Sequence, residues 1–329
     1  MTLAIEPITP LPELHRGRSL HNVWARFVNR VAVLLCWTSA LVTIGALFLI
    51  FGYIVYKGVW ALTGLEFTTH FPWFDFTHFH LNATFFTSLP RPGDAVGGMR
   101  NCIAGTLVLI AMASVIGIPV GMLCGIYLAE YSKDNLFSHS VRLVVDVLAG
   151  VPSIIVGVLA YSLVVRPMGN NSAWAGAVAL GFIMCPIIAR TTEEMLKLVP
   201  KALREASIGL GASKFQTLFR VVIPAAASGI ITGVMLSVAR VAGETAPLLF
   251  TVLGSDQPIF SMNSHFPFFH ADLNNAFPSL TAQIYKYATS AEPEWLKEAW
   301  GGMLVLIMIV LIMNIMVRVV TAKKMAGRH

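Results

Sequence analysis

The stretch EASIGLGASKFQTLFRVVIP, residues 205–224, interrupts a chain that otherwise reads as lipid-soluble. It is mixed, basic and punctuated by glycine. Leu203, Ala206 and Leu210 recur at i, i+3 and i+7, one face of a helix. Gly209 and Gly211 then break the pattern, and Gly211 can take φ > 0 or let another backbone approach. Phe215, Leu218, Phe219 and Val222 recur at i, i+3, i+4 and i+7, a second apolar face. Upstream, Thr191-x-x-Glu194 has the spacing of a capping box. Downstream, Pro224 closes the segment. The spacing predicts two short amphipathic helices with a flexible corner, a polar insert of 191–224 between two apolar segments. Glu205 is an acid open to a basic partner. Two uses fit such an insert: a seat for a soluble protein, or an in-plane helix resting on lipid headgroups, which its basic residues suit. The residues alone leave both open.

The rest of the chain decides the solvent. Of 329 residues, 56% are hydrophobic and 12% charged, about half the charged share of a soluble domain, and mean hydropathy is +0.72. This is an integral membrane protein. Its net charge of +6 therefore bears on bilayer sidedness rather than on nucleic acid. A spanning helix needs about 20 apolar residues. Suitable runs occur at 31–56, 101–129, 147–165, 173–189 and 299–317, with another at 221–253 interrupted by Arg240 and Glu244. The expectation is an all-α protein with six transmembrane helices. Its parts are an N-terminal arm (1–30), a first span (31–56), an outer loop (57–100), a core of five spans (101–320) and a tail (321–329).

An even number of spans puts both termini on one side. Arginines and lysines crowd the arm, the tail and the 190–224 loop but are sparse in the loops after the first and fifth spans. Termini and insert are thus expected in the cytoplasm and the sparse loops outside. Those outer loops, FTTHFPWFDFTHFH (67–80) and SMNSHFPFFHADL (261–273), are rich in aromatics and fit an interfacial belt. His70, Asp75, His78 and His80 lack the spacing of a metal site, and none is expected. The four cysteines, Cys36, Cys102, Cys124 and Cys185, lie in apolar runs without a CxxC pair and read as small buried hydrophobes. No cleavable signal peptide and no nucleophile–base arrangement is evident. Without a G-x4-GK[ST] loop the chain cannot itself cradle ATP phosphates.

Charge inside a span costs about 2.5–3.5 kcal/mol on insertion scales. Arg240 and Glu244, four apart, are expected on one helix face. The blander reading is a self-satisfied ion pair. The functional one is a pathway face that meets an anion, for which the planar guanidinium is the better donor. Arg190 ends the fourth span and reads equally as a cytoplasmic anchor or a gate. Asp146 opens the third span, where the helix dipole favours it, with a gate role as the alternative. Gly150, Pro152 and Ser153 fall inside that span, and an interior proline there implies a lined cavity. Gly243 and Pro247 mark a kink in the fifth span, and Asn101 reads as a cap at the mouth of the second.

Glu205, Ala206, Ser207, Gly211, Val221, Ile223 and Pro224 match E-A-A-x3-G-x9-I-x-L-P, the signature of ABC importer permeases, with three conservative departures. Further stretches, ARVAGETAPLLFT (239–251), LAGVPSIIVG (148–157), IIARTTEEMLKLVP (187–200), GGMRNCIAGTLVL (97–109) and SLTAQIYKYA (279–288), resemble the phosphate-specific members of PstA type. The resemblance covers roughly 97 to 320. It implies a type I ABC importer permease architecture in a bacterial cytoplasmic membrane, and a coupling helix at 205–224 that seats on an ATPase. It also implies a substrate pathway that includes Arg190, Arg240 and Glu244, with Pro152 and Ser153 as lining. The partners implied are a PstC-type permease, a dimeric PstB-type subunit that uses ATP and Mg, a periplasmic PstS-type phosphate-binding protein, and lipid. No cofactor is expected on this chain and no catalysis by it alone. Another oxyanion (molybdate, sulfate or phosphonate) is the alternative cargo, and a phosphate-status signalling scaffold the alternative role.

Overall fold

The computed structural model describes residues 20–64, 66–67, 74–75, 82–90, 97–132, 135–262 and 269–326. His70, His78 and His80 lie outside the described residues. Two compact units are found, 1–53 and 54–329. In the first, the described residues form most of the helix α1 (Leu20–Thr63). It is apolar all round, with Leu34, Leu41 and Leu49 exposed, as suits a helix with lipid for solvent.

The second unit starts with the end of α1, whose Gly58 abuts Leu304 and whose Trp60 ring receives Lys57 and Lys297 at 5.2 and 4.8 Å. After a short α2 (Ala83–Thr87) come α3 (Arg100–Ile126), continuing as a π-turn to Tyr131, then α4 (Leu136–Gly150), α5 (Ser153–Ala160), α6 (Arg166–Met168) and α7 (Ala173–Lys197). The insert holds α8 (Lys201–Gly209) and α9 (Lys214–Thr217), and a π-turn leads into α10 (Ile223–Ala242). After α10 come α11 (Ala246–Thr251), α12 (Leu280–Ala288) and the long α13 (Pro293–Ala326). Among the described residues two small antiparallel ribbons, β1 (Glu66–Phe67) with β2 (Phe74–Asp75) and β3 (Phe260–Met262) with β4 (Phe269–Ala271), lie in the long loops.

Among the described residues five helices are long and apolar enough to cross a membrane, and six if the bent pair Leu136–Gly150 and Ser153–Met168 is one span. The third span differs from the run read at 147–165. α4 and α5 meet at 105° across Val151 and Pro152, both extended at ψ near 130°. Proline cannot donate to the preceding turn and pushes its neighbour out of the α region. Asp146 therefore does not open a helix but lies near the end of α4. The fifth span is likewise broken rather than kinked: α10 stops at Ala242 and α11 restarts with Pro247 in its first turn. Nor does Asn101 cap α3. Its Oδ1 accepts from Ile259 N (3.0 Å) and its Nδ2 donates to Gln257 O, so it pins the segment after α11 onto α3.

The core is organised by α3 against α7. Gly117, Gly121 and Gly125 recur every four residues on α3, facing Gly181, Cys185 and Ala189 on α7. A Cβ on Gly117 would stand 3.0 Å from Gly181 O, one on Gly121 2.9 Å from Cys185 O, and one on Gly125 2.5 Å from Ala189 O. Small residues at this spacing let helix backbones approach where lipid offers no hydrophobic drive to associate. Gly229 and Gly233 of α10 repeat the device against Met195 and Thr191 of α7. Leu109, Ala113, Leu180, Met184, Leu248 and Phe277 complete the main core. A second cluster joins Phe85, Met99, Leu280, Tyr287 and Ala299, where burial pushes the Tyr287 phenol above its usual range.

Gly121→Val is expected to cost roughly 1–3 kcal/mol by overpacking and to lower the thermal unfolding midpoint in detergent. Gly45→Val, whose added atoms meet open space, is expected to leave the midpoint unchanged; equal midpoints for both variants would refute the close-approach account.

Candidate functional site

Two groups of residues stand out, the corner of the insert and a charged face along α7. At the corner, α8 ends when Gly211 takes φ +87°, a conformation that a Cβ disfavours. Nothing lies within 4 Å of where its Cβ would be, so backbone conformation rather than crowding selects glycine. Gly211 N donates to Ile208 O at 2.9 Å and Ala212 N to Ser207 O at 3.2 Å. The capping box is Ser213 with Gln216, not Thr191 with Glu194: Thr191 sits inside α7, its hydroxyl donating to Ile187 O. Ser207 Oγ meets Thr217 Oγ1 at 2.9 Å and closes the two short helices on each other. Glu205 and Ala206 are exposed and Pro224 half-buried at the entry to α10.

The corner is fastened to the end of α3. Arg204 pairs with Glu130 and donates to Leu196 O at 2.6 Å. Lys214 Nζ donates to Glu130 O at 2.6 Å and lies 4.6 Å from the Tyr131 ring. The corner's outward surface is mixed: Leu210 is 90% exposed, and Phe215 and Phe219 lie tilted at 4.5 Å with both rings open, among the exposed Lys201, Glu205, Gln216 and Arg220. Exposed apolar surface rimmed by polar groups marks a docking face.

The charged face begins at Arg240, in the last turn of α10, where a cation suits the helix dipole. Its Nε is 3.6 Å from Glu244 Oε1. Glu244 lies past the helix end rather than on it, its N–H on Val241 O and its carbonyl accepting from Thr281 Oγ1 at 3.0 Å. Arg240 lines a narrow crevice with Val151, Ser153, Phe182 and Pro186. The structure thus brings Arg240 and Ser153 together at the broken third span, beside Pro152, with Glu244 against the arginine.

Ile183, Pro186 and Ile187 of that crevice continue as Arg190 on the same stripe of α7, since i, i+3, i+4 and i+7 share a face. Arg190 is about 4.5 Å further along the axis than Ile187. It does not touch Arg240. Its guanidinium lies 3.0 Å from Glu194, 3.6 Å from Glu193 and 3.8 Å from Asp146. Sequence reasoning passed over Glu193, Arg142, Glu130 and Arg204. Glu193 is 1% exposed and pairs with Lys197 and with Arg142 Nη2 at 3.0 Å. The Glu193–Lys197 spacing of four was a legible signal; the partners on α3 and α4 were not. Among the described residues no cluster of His, Cys, Asp or Glu could hold a metal.

Comparison with known proteins gives the context. The family described as binding-protein-dependent transport system inner membrane component matches residues 117–323. The phosphate transport system permease protein PstA of Yersinia pestis is 39% identical over 311 residues, 94% of this chain and 96% of that protein. PstA 1 of Mycobacterium tuberculosis is 35% identical over 303 residues, 91% of each chain. A crystal structure of a bacterial ABC transporter that imports alginate shares the fold, with a TM-score of 0.57 at 14% identity over 91% of this chain and 99% of that one. An inward-facing MetNI methionine transporter does so at 0.52, with 20% identity over 68% and 96%. The chain belongs to the binding-protein-dependent transport system inner membrane components, among the PstA-type permeases. It is a multi-pass inner-membrane transport component and not itself a catalyst.

Gly211→Ala is expected to strain the corner by about 1–2 kcal/mol. Hydrogen exchange of amides 207–217 should accelerate severalfold while α7 and α10 stay protected; unaltered exchange at the corner would show that its left-handed turn is dispensable.

Proposed function

We propose that this chain is the permease subunit of an ATP-driven inorganic phosphate importer, forming half of its translocation path. The observation that carries the reading is the crevice at the broken third span, where Arg240 meets Ser153 and Val156 of the first turn of α5. A broken spanning helix that turns its second half's N-terminus toward a cavity presents free N–H groups and a positive dipole end to an anion. A guanidinium alongside adds planar, charge-assisted donors matched to a tetrahedral oxyanion. Glu244 holds Arg240 loosely, at 3.6 Å with Arg240 half exposed, and yields it when the anion arrives. Arg190 follows along the same stripe of α7. The names of the relatives supply phosphate as the cargo.

The corner at 201–217, with Glu205, Ala206, Ser207 and Gly211, is the coupling element. Its open apolar rings and Leu210 seat on a cytoplasmic ATPase dimer that carries the ATP and Mg, and Pro224 passes the motion into α10. A related permease completes the pathway and a soluble phosphate-binding protein delivers the anion from outside. The lysines and arginines of the arm, the tail and 190–224 support a cytoplasmic side for the corner and both termini. Closing of the nucleotide-bound dimer opens the cavity outward, and hydrolysis resets it.

Arg240→Gln is the test, in proteoliposomes of the assembled complex with ATP inside and binding protein outside. A lost hydrogen bond to a charged group is worth about 1.5–3 kcal/mol, so phosphate uptake is expected to fall about tenfold to a hundredfold with assembly intact. Unchanged uptake would reduce Arg240–Glu244 to a structural ion pair, and stronger competition by molybdate or sulfate than by unlabelled phosphate would move the cargo to another oxyanion.

A further inference from the structure

α4 is attached to the rest of the unit differently from the other long helices. Only Ser138 and Val145 of its fifteen residues are buried, and Leu136, Phe137, Leu143, Val144 and Val147 are exposed. Its apolar anchorage is small: Val145 packs with Leu128 and Ala189, flanked by Tyr127 and Val141. At its far end it stops at the 105° break. The polar attachment is a two-rung charge ladder to α7. Arg142 reaches Glu193, with Nε to Oε1 at 3.2 Å and Nη2 to Oε1 at 3.0 Å. One turn on, Asp146 Oδ1 lies 3.8 Å from Arg190 Nη1. α4 thus presents plus then minus at i and i+4, and α7, running antiparallel, presents minus then plus.

The rungs are unequal. Glu193 is buried and draws on Arg142, Arg190 and Lys197. Removing one partner of such a carboxylate leaves an uncompensated buried charge. Yet its Oε2 makes no hydrogen bond and has Arg190 only at 3.6 Å. The outer rung is long, and Asp146 and Arg190 are 53% and 44% exposed, so water and salt weaken it. The cluster holds three cations, Arg142, Arg190 and Lys197, and three carboxylates, Asp146, Glu193 and Glu194. With three charges of each sign the cluster carries no net charge, so an anion is held there only by displacing a carboxylate from one of its cations.

We propose that α4 is a hinged inner gate, latched onto α7 by the Arg142–Glu193 and Asp146–Arg190 pairs and turning about the Val151–Pro152 break. The proposal rests on the pathway reading above, because the ladder lies on the stripe of α7 that leads inward from the Arg240 crevice. An oxyanion leaving that crevice reaches Arg190 first and competes with Asp146 for it. With that rung open, α4 is held by Val145, by Tyr127 against Phe137 and Ser138, and by Arg142. Arg142 and Asp146 are positioning residues: they set where α4 rests and need not touch the anion for long.

Two measurements on the assembled complex test the gate. Spin labels on Phe137→Cys and Leu198→Cys, with Cys36 replaced by Ser, report the α4–α7 separation. The distance distribution is expected to shift between the nucleotide-free and ATP-trapped states, and an unchanged distribution overturns the gate whether or not Arg240→Gln blocks uptake. Second, Asp146→Asn and Arg142→Gln are expected to raise ATP hydrolysis without binding protein severalfold and to leak phosphate from loaded proteoliposomes. Arg142→Lys keeps the charge and should restore tight coupling. If Arg142→Gln fails to assemble, Asp146→Asn, whose carboxylate is half exposed, decides alone. Basal hydrolysis and leak at wild-type level in Asp146→Asn would refute the latch.

Discussion

The close approach of α3 and α7 is the constraint on which the rest depends. In lipid the helices gain little from burying apolar side chains, because the tails outside are as apolar as the core. Association has to come from dispersion between surfaces brought very near, and glycine every four residues is what permits it. Once the two backbones meet at Gly117, Gly121 and Gly125, α7 is surrounded. It is the most buried of the candidate spans, and α10 joins it through Gly229 and Gly233. α7 is then a fixed post, and the charges on its free stripe have fixed positions against which the other elements move.

The second constraint is backbone satisfaction. Irregular backbone at membrane depth is tolerated only where protein or a water-filled cavity receives its polar groups. This chain interrupts its helices at Val151–Pro152 and at Gly243–Thr245, and the segments beyond the two breaks pack together: Gly157 of α5 abuts Pro247 of α11, with a Cβ position 2.6 Å from Pro247 Cα. Gly243 and Glu244 recover bonds to Arg240 O and Val241 O, and Thr281 reaches in from α12 to the Glu244 carbonyl. Polar backbone, Arg240 and Glu244 are therefore collected in one place. That is an economical way to keep charge inside a span, since each group there has a partner that is not lipid.

These same features mark what could be read from the chain. The two short helices and the corner at Gly211 were legible, because their signal is local: two amphipathic faces, a glycine that takes φ > 0 and a proline at the exit. The spans were legible as apolar runs. The third was misjudged because 147–165 is uniformly apolar across the break, and a hydropathy window averages over one proline. Asp146 was misread for the same reason, since the run hid that α4 begins at Leu136. Thr191 and Glu194 have capping-box spacing, but α7 continues through them because Thr192 and Leu196 are buried against neighbouring helices. Arg142–Glu193 and Arg204–Glu130 join residues 51 and 74 positions apart, and no periodicity within one helix encodes such a pair.

The ties of the corner give the unit a mechanical asymmetry. Arg204 and Lys214 grip Glu130 at the end of α3, and Leu218 and Val222 pack with Ile126 and Leu196. A push on the corner is therefore received by α3, α7 and the start of α10 together. Glycine brings α3 to backbone contact with α7 and seats Met195 and Thr191 of α7 against α10, so these three helices share one tightly packed body. α4 does not share that packing. It meets the body through Val145, through Tyr127 Oη to Ser138 Oγ at 3.4 Å and through the charge ladder. Of these, the half-exposed Asp146–Arg190 rung is weakest in water and the Arg142–Glu193 rung hardest to break, since breaking it strands a buried carboxylate. A tightly packed body and a leaf held by unequal rungs will separate at the weaker rung first. In this unit that rung lies nearer the Arg240 crevice, so separation begins at the end of the ladder that an arriving anion meets.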